Sequence, residues 1–207
     1  MALDTFANLK TAIADWLNRD DLTSAIPDFI TLAEAHMNRV VSHWRMEKRS
    51  TATADDQYLA LPTDFLEPIA LRLTGSGTQP LELTSHQDMM MRRYSAEDTA
   101  GTPIFYALTD GQIELYPTPN EDTTVELVYY AKTDALSDGN TSNWILSNHP
   151  DAYLYGALVQ SAPYLKDDQR AGVWAALFKA ALDNMAEESR AAKENGAQLR
   201  MKMRKVS

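Results

Sequence analysis

HPDAYLYGALVQSAPYLKDDQRAGVWAALFKAAL, residues 149–182, decides the fold class. Pro150 suits a helix start, because its fixed φ is already helical and the N–H it lacks would find no partner in the first turn. The helix it opens is predicted to run to about Leu165, and Asp167 or Asp168 is placed to cap a longer one reaching about Asn195. In that second helix Trp174, Leu177, Phe178, Ala181 and Met185 recur at helical spacing and predict one buried stripe. Gly196 then reads as a stop signal.

The same reading extends to the other end of the chain. Residues 4–19 form an amphipathic pattern with Asp4 or Thr5 as cap and Phe6, Leu9, Ile13, Trp16 and Leu17 on one face. Asp20 and Asp21 break it, and Pro27 opens a second helix carrying Ile30, Ala33, Met37, Val40 and Trp44 to about Lys48. The two are expected to form a hairpin, with Phe29, Ile30, Met37, Trp44, Trp174, Leu177 and Phe178 sharing one core. Between about 51 and 133 the pattern changes to short apolar runs, Tyr58 to Leu61, Ile69 to Leu73, Ile113 to Tyr116 and Val125 to Tyr130, separated by turn residues. Asp110-Gly111 between FYAL and QIELYP is the strongest hairpin signal, since Gly111 accepts the positive φ of a tight turn. Ser85 to Tyr94 reads as a short inserted helix and Ser137 to Ser147 as a loop. The predicted class is α+β: a helical core (4–48 and 149–195) with a β-rich middle insertion (51–133), residues 1–196 forming one domain and 197–207 an extended C-terminal tail. No internal repeat or low-complexity tract is present.

Composition narrows the function. With no cysteine in 207 residues, disulfides, thiolate metal sites and cysteine nucleophiles are absent together. No run of about 18 apolar residues could span a bilayer, and MALDTFANLKTAIADW carries an acid where a signal peptide carries basic residues. No membrane partner is expected, and the chain is expected to remain in the cytoplasm where it is made. The net charge of −10 is uneven: residues 190–207 hold six Lys or Arg against Glu194 alone, which makes that end +5 and leaves −15 on residues 1–189. Such an acidic body is a poor ligand for free duplex, which needs a basic face to displace counterions.

No reactive constellation stands out. His36, His43, His86 and His149 lack the i, i+3 or i+4 spacing of a helical metal pair, and His36 and His43 are seven apart, so no metal is expected. Glu34, Asp28 and Glu67 can be imagined as the paired acids of a peptidoglycan-cleaving glycosidase, but acids on exposed helix faces are the default in so acidic a chain. There is no GxSxG elbow, and Gly75-Ser76-Gly77 reads as a turn. Catalytic, cofactor-binding and metal-binding residues are therefore all expected to be none.

Three segments, IPDFITLAEAHMNR (26–39), LALPTDFLEPIALRL (59–73) and the opening stretch at 149–182, together resemble the head-to-tail adaptor, or connector, family of tailed bacteriophages. Physically, Pro27 and Asp28 favour a helix start. Pro62 stops a strand and Asp64 can cap a turn while Phe65 and Leu66 return to the core. Tyr153, Tyr155 and Tyr164 supply wide amphipathic contacts for helix packing or a subunit interface. The resemblance implies a structural virion protein at the head-tail junction, without enzymatic activity. It implies a ring, typically a dodecamer, seated beneath the portal protein, joining the DNA-filled head to tail or nozzle proteins and letting genomic DNA pass without sequence-specific binding.

The resemblance also implies a C-terminal extension that docks on the portal. Leu199, Arg200, Met201, Lys202, Met203, Arg204 and Lys205 match that element in position and charge. Their alternation of apolar and basic side chains suits an extended strand, one expected to be unstructured until it docks. The alternatives are the peptidoglycan hydrolase and a small DNA-binding regulator, the latter weakened by the absence of an Arg- or Asn-rich recognition helix.

Overall fold

The computed structural model describes residues 3–74, 78–95, 100–165 and 170–194. It is α+β, and it divides into a helical unit, built from the chain up to Arg45 and from Thr133 onward, and a continuous β unit, Met46–Lys132.

The helical unit contains α1 (Phe6–Leu17), α2 (Ile26–Val40), α4 (Trp144–Asn148), α5 (Pro150–Leu165) and α6 (Ala171–Glu194). Thr5 caps α1 by accepting from the Asn8 N–H at 3.3 Å, and Asn18 closes it in the left-handed conformation at φ 53°. Pro27 and Asp28 occupy the first turn of α2. Asn143 caps α4, its side chain accepting from the Leu146 N–H at 2.9 Å. At the centre is α5, against which α1, α2, α4 and α6 all pack. Gly156 makes this possible, since a Cβ there would lie 3.0 Å from Ala33 Cβ and 3.0 Å from Phe178 Cε2. The cost of a mid-helix glycine, about 0.5–1 kcal/mol relative to alanine, is accepted where three helices meet.

Several sequence expectations change here. The second helix stops at Val40, not near Lys48, because Val41 turns extended (φ −99°, ψ 123°) and the chain passes through a 3₁₀ turn at Trp44–Met46. Trp44 therefore leaves the stripe and is 39% exposed, and Val40 is exposed as well. In α6, Trp174, Phe178, Ala181 and Met185 are buried, but Leu177 is 39% exposed: the buried stripe is narrower than the sequence pattern. Trp16 lies at the rim of α1, 46% exposed, with its ring edge-on to Tyr155. The expected loop Ser137 to Ser147 ends in α4, whose first turn Asn143 caps. The shared core does form from Phe29, Ile30, Met37, Trp174 and Phe178, with α5 as its middle layer. Asp167 and Asp168, the proposed caps, and Gly196, the proposed stop, lie outside the described residues.

The β unit contains β1 (Glu47–Ala54), β2 (Tyr58–Ala60), β3 (Phe65–Leu73), β4 (Gln79–Pro80), β5 (Glu82–Leu83), α3 (His86–Ser95), β6 (Phe105–Thr109), β7 (Gln112–Tyr116) and β8 (Thr123–Ala131). One sheet has the order β1-β8-β3-β4 and the other β2-β7-β6-β5, in which β5 and β6 run parallel. Val125, Leu127, Tyr129 and Ala131 of β8 point into a core shared with Leu71, Leu73, Tyr106, Ile113 and Leu115. The outer face of the first sheet carries Glu126 of β8 between Arg72 of β3, hydrogen-bonded to it, and Arg49 of β1 at 3.4 Å. Pro68 is tolerated in β3 because the strand bulges there, with register shifts on either side of Glu67–Pro68. The β6–β7 hairpin turns at Asp110 (φ 50°) and Gly111 (φ 71°), as the sequence predicts. Among the described residues no helix is long and apolar enough to cross a membrane.

Trp174→Ala is expected to cost about 3–5 kcal/mol of unfolding free energy, whereas Leu177→Ala should cost about 1 kcal/mol or less. Paired denaturant melts check this, and equal losses would overturn the assignment of the two α6 faces.

Candidate functional site

The segment from Thr133 to Asn143 has no regular structure, so its backbone groups must be met by side chains. Two residues one turn apart on α2 supply part of this. Asn38 Oδ1 accepts from the Thr133 N–H at 3.0 Å, and Glu34 Oε1 accepts from the Leu136 N–H at 2.8 Å. Asn143 donates to the Asp134 carbonyl at 2.8 Å and to the Tyr153 hydroxyl at 2.6 Å. Tyr153 in turn donates to Glu34 Oε1 at 2.9 Å. Burial raises the Glu34 carboxyl above its ordinary range despite these two donors, and burial beside Glu34 pushes the Tyr153 phenol up.

This network corrects one expectation. Tyr153 is fully buried, the hub of an internal polar cluster, and presents no surface to another subunit. Tyr155 is half-buried against Trp16, with ring centroids 5.9 Å apart. Tyr164 is 60% exposed, its ring edge-on to Phe29 at 5.6 Å. Of the three tyrosines, Tyr155 and Tyr164 keep surface with which to meet a partner. Further exposed apolar residues lie at helical spacing, Leu32 and Val40 on α2 and Val173 and Leu177 on α6.

Of the acids considered for hydrolysis, Asp28 is exposed in the first turn of α2. Glu34 is committed to the internal network just described. In the β unit, buried Glu114 accepts from Arg93 Nε at 3.0 Å and from Gln57 Nε2 at 3.1 Å, with His86 Nδ1 3.3 Å away, which ties α3 to the sheet. Glu67 is exposed on β3, and Asp64 is held below its usual range by the Lys48 ammonium at 2.8 Å, while the Tyr129 phenol that donates to it is pushed up to about 12 by burial and the nearby charge. Asp64 thus binds side chains from β1 and β8. The broadest cleft among those described, about 450 Å³, is lined by Lys10, Thr11, Asp15, Asp20 and Thr23 beside apolar residues.

Three residues far apart in sequence do converge. His43 follows α2, His149 separates α4 from α5, and Glu188 lies near the end of α6. Glu188 Oε1 is 3.8 Å from His43 Nε2 and Glu188 Oε2 is 3.3 Å from His149 Nε2. His43 is completely buried, its ring stacked on Trp144 at 4.7 Å, and burial lowers its pKa. No local spacing signals this cluster, because each member comes from a different element. His36 packs on the Phe178 ring at 5.3 Å.

A family model described as SU10 adaptor protein matches residues 4–202. The chain belongs to this bacteriophage head-tail adaptor family. It is a phage adaptor and a virion component, from a structural family. No curated protein matches the chain. The tail residues Leu199, Arg200, Met201, Lys202, Met203, Arg204 and Lys205 lie outside the described residues, although the adaptor match runs past the end of α6 to residue 202.

The raised Glu34 carboxyl means that the fold holds this proton more tightly than the unfolded chain does. Its contribution is therefore largest below the ordinary carboxylate range and is lost as pH rises through the raised value. Glu34→Gln keeps an accepting oxygen but cannot ionise, so its melting temperature should gain on the parent's as pH rises above the ordinary carboxylate range. A gap that stays constant with pH would show that Glu34 does not titrate in the fold. Tyr153→Phe, which strips Glu34 and Asn143 of a partner, should cost about 1–3 kcal/mol.

Proposed function

We propose that this adaptor assembles as a ring, in dodecameric form, beneath the portal protein, and links the DNA-filled head to tail or nozzle proteins. Residues 1–196 act as the adaptor domain and 197–207 as the portal-docking tail. The observation that carries this reading is the family match over residues 4–202, which takes in the start of the tail as well as the folded body. The division of charge supports it: a −15 body suits a wall past which genomic DNA slides without sequence-specific binding, and a +5 end suits an acidic groove on another protein.

On docking, Leu199, Met201 and Met203 fill small pockets while Arg200, Lys202, Arg204 and Lys205 meet carboxylates, the backbone pairing with a sheet edge. Tyr155 and Tyr164 lie at contacts between neighbouring copies. The free subunit stays a monomer, and the portal templates the ring.

Deleting residues 197–207 should leave the circular dichroism spectrum and melting temperature of the body unchanged while abolishing binding to purified portal. Binding of the full chain should weaken with salt mainly through its association rate. Undiminished binding by the truncated chain would remove the tail from the mechanism. A closed ring in sedimentation at about micromolar concentration without portal would contradict templated assembly.

A further inference from the structure

We propose that His43, His149 and Glu188 form a binding site for a first-row divalent cation, zinc being the best fit, which clamps the end of α6 to the exit of α2 and the start of α5. The sequence alone predicts no metal, since the three ligands share no helix and no spacing.

The geometry is that of a half-built tetrahedron. Ligand atoms held about 2.0–2.1 Å from a zinc ion stand about 3.3–3.5 Å from one another. His149 Nε2 lies 3.3 Å from Glu188 Oε2 and His43 Nε2 3.8 Å from the other oxygen, Oε1, and one ligand atom from each of the three residues lies within 4.8 Å of the others. Closing the set takes side-chain shifts of about an ångström or less. Neither His43 Nε2 nor His149 Nε2 has a hydrogen-bond partner, although both atoms are buried. Two buried, orphaned imidazole nitrogens facing one carboxylate are costly without an occupant. Glu188 is half-exposed, so a fourth position opens to water on its side.

The surroundings fit the role. Burial favours neutral His43, the form that ligates. The ring is fixed by stacking on Trp144, whose Nε1 donates to Thr133 Oγ1 at 3.3 Å. Ser189, beside Glu188, accepts from the Trp44 N–H at 3.0 Å and already sets α6 against this turn. Two neutral imidazoles and one carboxylate match zinc, copper, nickel or iron better than magnesium or calcium, which take oxygen.

One contact opposes binding. The Arg45 N–H donates to His43 Nδ1 at 3.2 Å, which places the ring proton on Nε2. A metal at Nε2 moves that proton to Nδ1, with no net release, and the Arg45 amide must give up its acceptor. That bond is only part-buried, and losing it is a cost that metal binding must offset. Arg45 and Lys193 also bring positive charge towards His43. The affinity is therefore expected near micromolar, not at the level of closed structural zinc sites.

The test uses full-length, tag-free protein stripped with chelator. Calorimetry should show one Zn²⁺ per chain with Kd of about 10 µM or below, and Co²⁺ should give the visible absorption of a four-coordinate ion. His43 is completely buried, so His149→Ala and Glu188→Gln are the informative variants. Each should keep the metal-free fold by circular dichroism and weaken binding by at least about tenfold, while His36→Ala leaves it unchanged. Absence of stoichiometric binding in the parent, as when only water fills the gap, overturns the proposal. Binding that survives in both ligand variants does so as well.

Discussion

The helical unit depends on the close approach of three helices at one glycine. With no Cβ at Gly156, Ala33 of α2 and Phe178 of α6 close on α5 from two directions. Ala152 and Ala157, both buried, keep the neighbouring positions of α5 small, so the helix serves as an internal axle and not as a surface element. Around it pack Leu9 and Ile13 from α1, Ile30 and Met37 from α2, and Trp174 and Met185 from α6, while α5 adds Tyr153, Leu154 and Leu158 on its other buried positions. A bulkier central helix would push these layers apart, and protein interiors have little slack to absorb the displacement.

An axle of this kind leaves polar work to be done around it. After the β unit the chain runs through an irregular segment, whose Thr133 and Leu136 N–H groups are met by Asn38 and Glu34 on α2 and whose Asp134 carbonyl is met by Asn143, while Tyr153 of α5 bridges Asn143 to Glu34. The buried carboxylate and phenol are structural groups, and their shifted titration reflects burial more than catalysis. Shifted pKa values and abundant acids are thus compatible with a family that builds particles.

The parts of the fold legible in the sequence were those set by local chemistry. Thr5, Pro27 and Pro150 mark helix starts, Asp110-Gly111 marks a hairpin, and the alternation in Val125 to Tyr130 marks a strand with one buried face. What escaped was set by distant partners. EKRSTATA looks too polar for a strand, and β1 exists because β8 supplies its ladder and Glu126 reaches Arg49. The helical periodicity through Trp44 is genuine, yet the chain leaves the helix at Val41 and the 3₁₀ turn that follows places Trp44 at the surface. Tyr153 reads equally as a packing or an interface residue in the sequence, because its partners, Glu34 and Asn143, come from other segments. The His43, His149 and Glu188 cluster was invisible for the same reason, whereas the tail pattern is legible only as sequence.

The helical unit is made from the two ends of the chain, with a continuous β unit between them. This imposes an order on synthesis. When the ribosome has released α1 and α2, the helix they pack on has not been made, and Phe29, Ile30 and Met37 have no core to enter. The β unit, by contrast, has all its strands as soon as β8 emerges and can close its own core first. The amino-terminal helices then wait, apolar faces uncovered, until α5 and α6 are complete. Translation speed through residues 133–194 therefore sets how long a nascent chain is vulnerable to aggregation, and a late truncation leaves the β unit whole while stranding both amino-terminal helices.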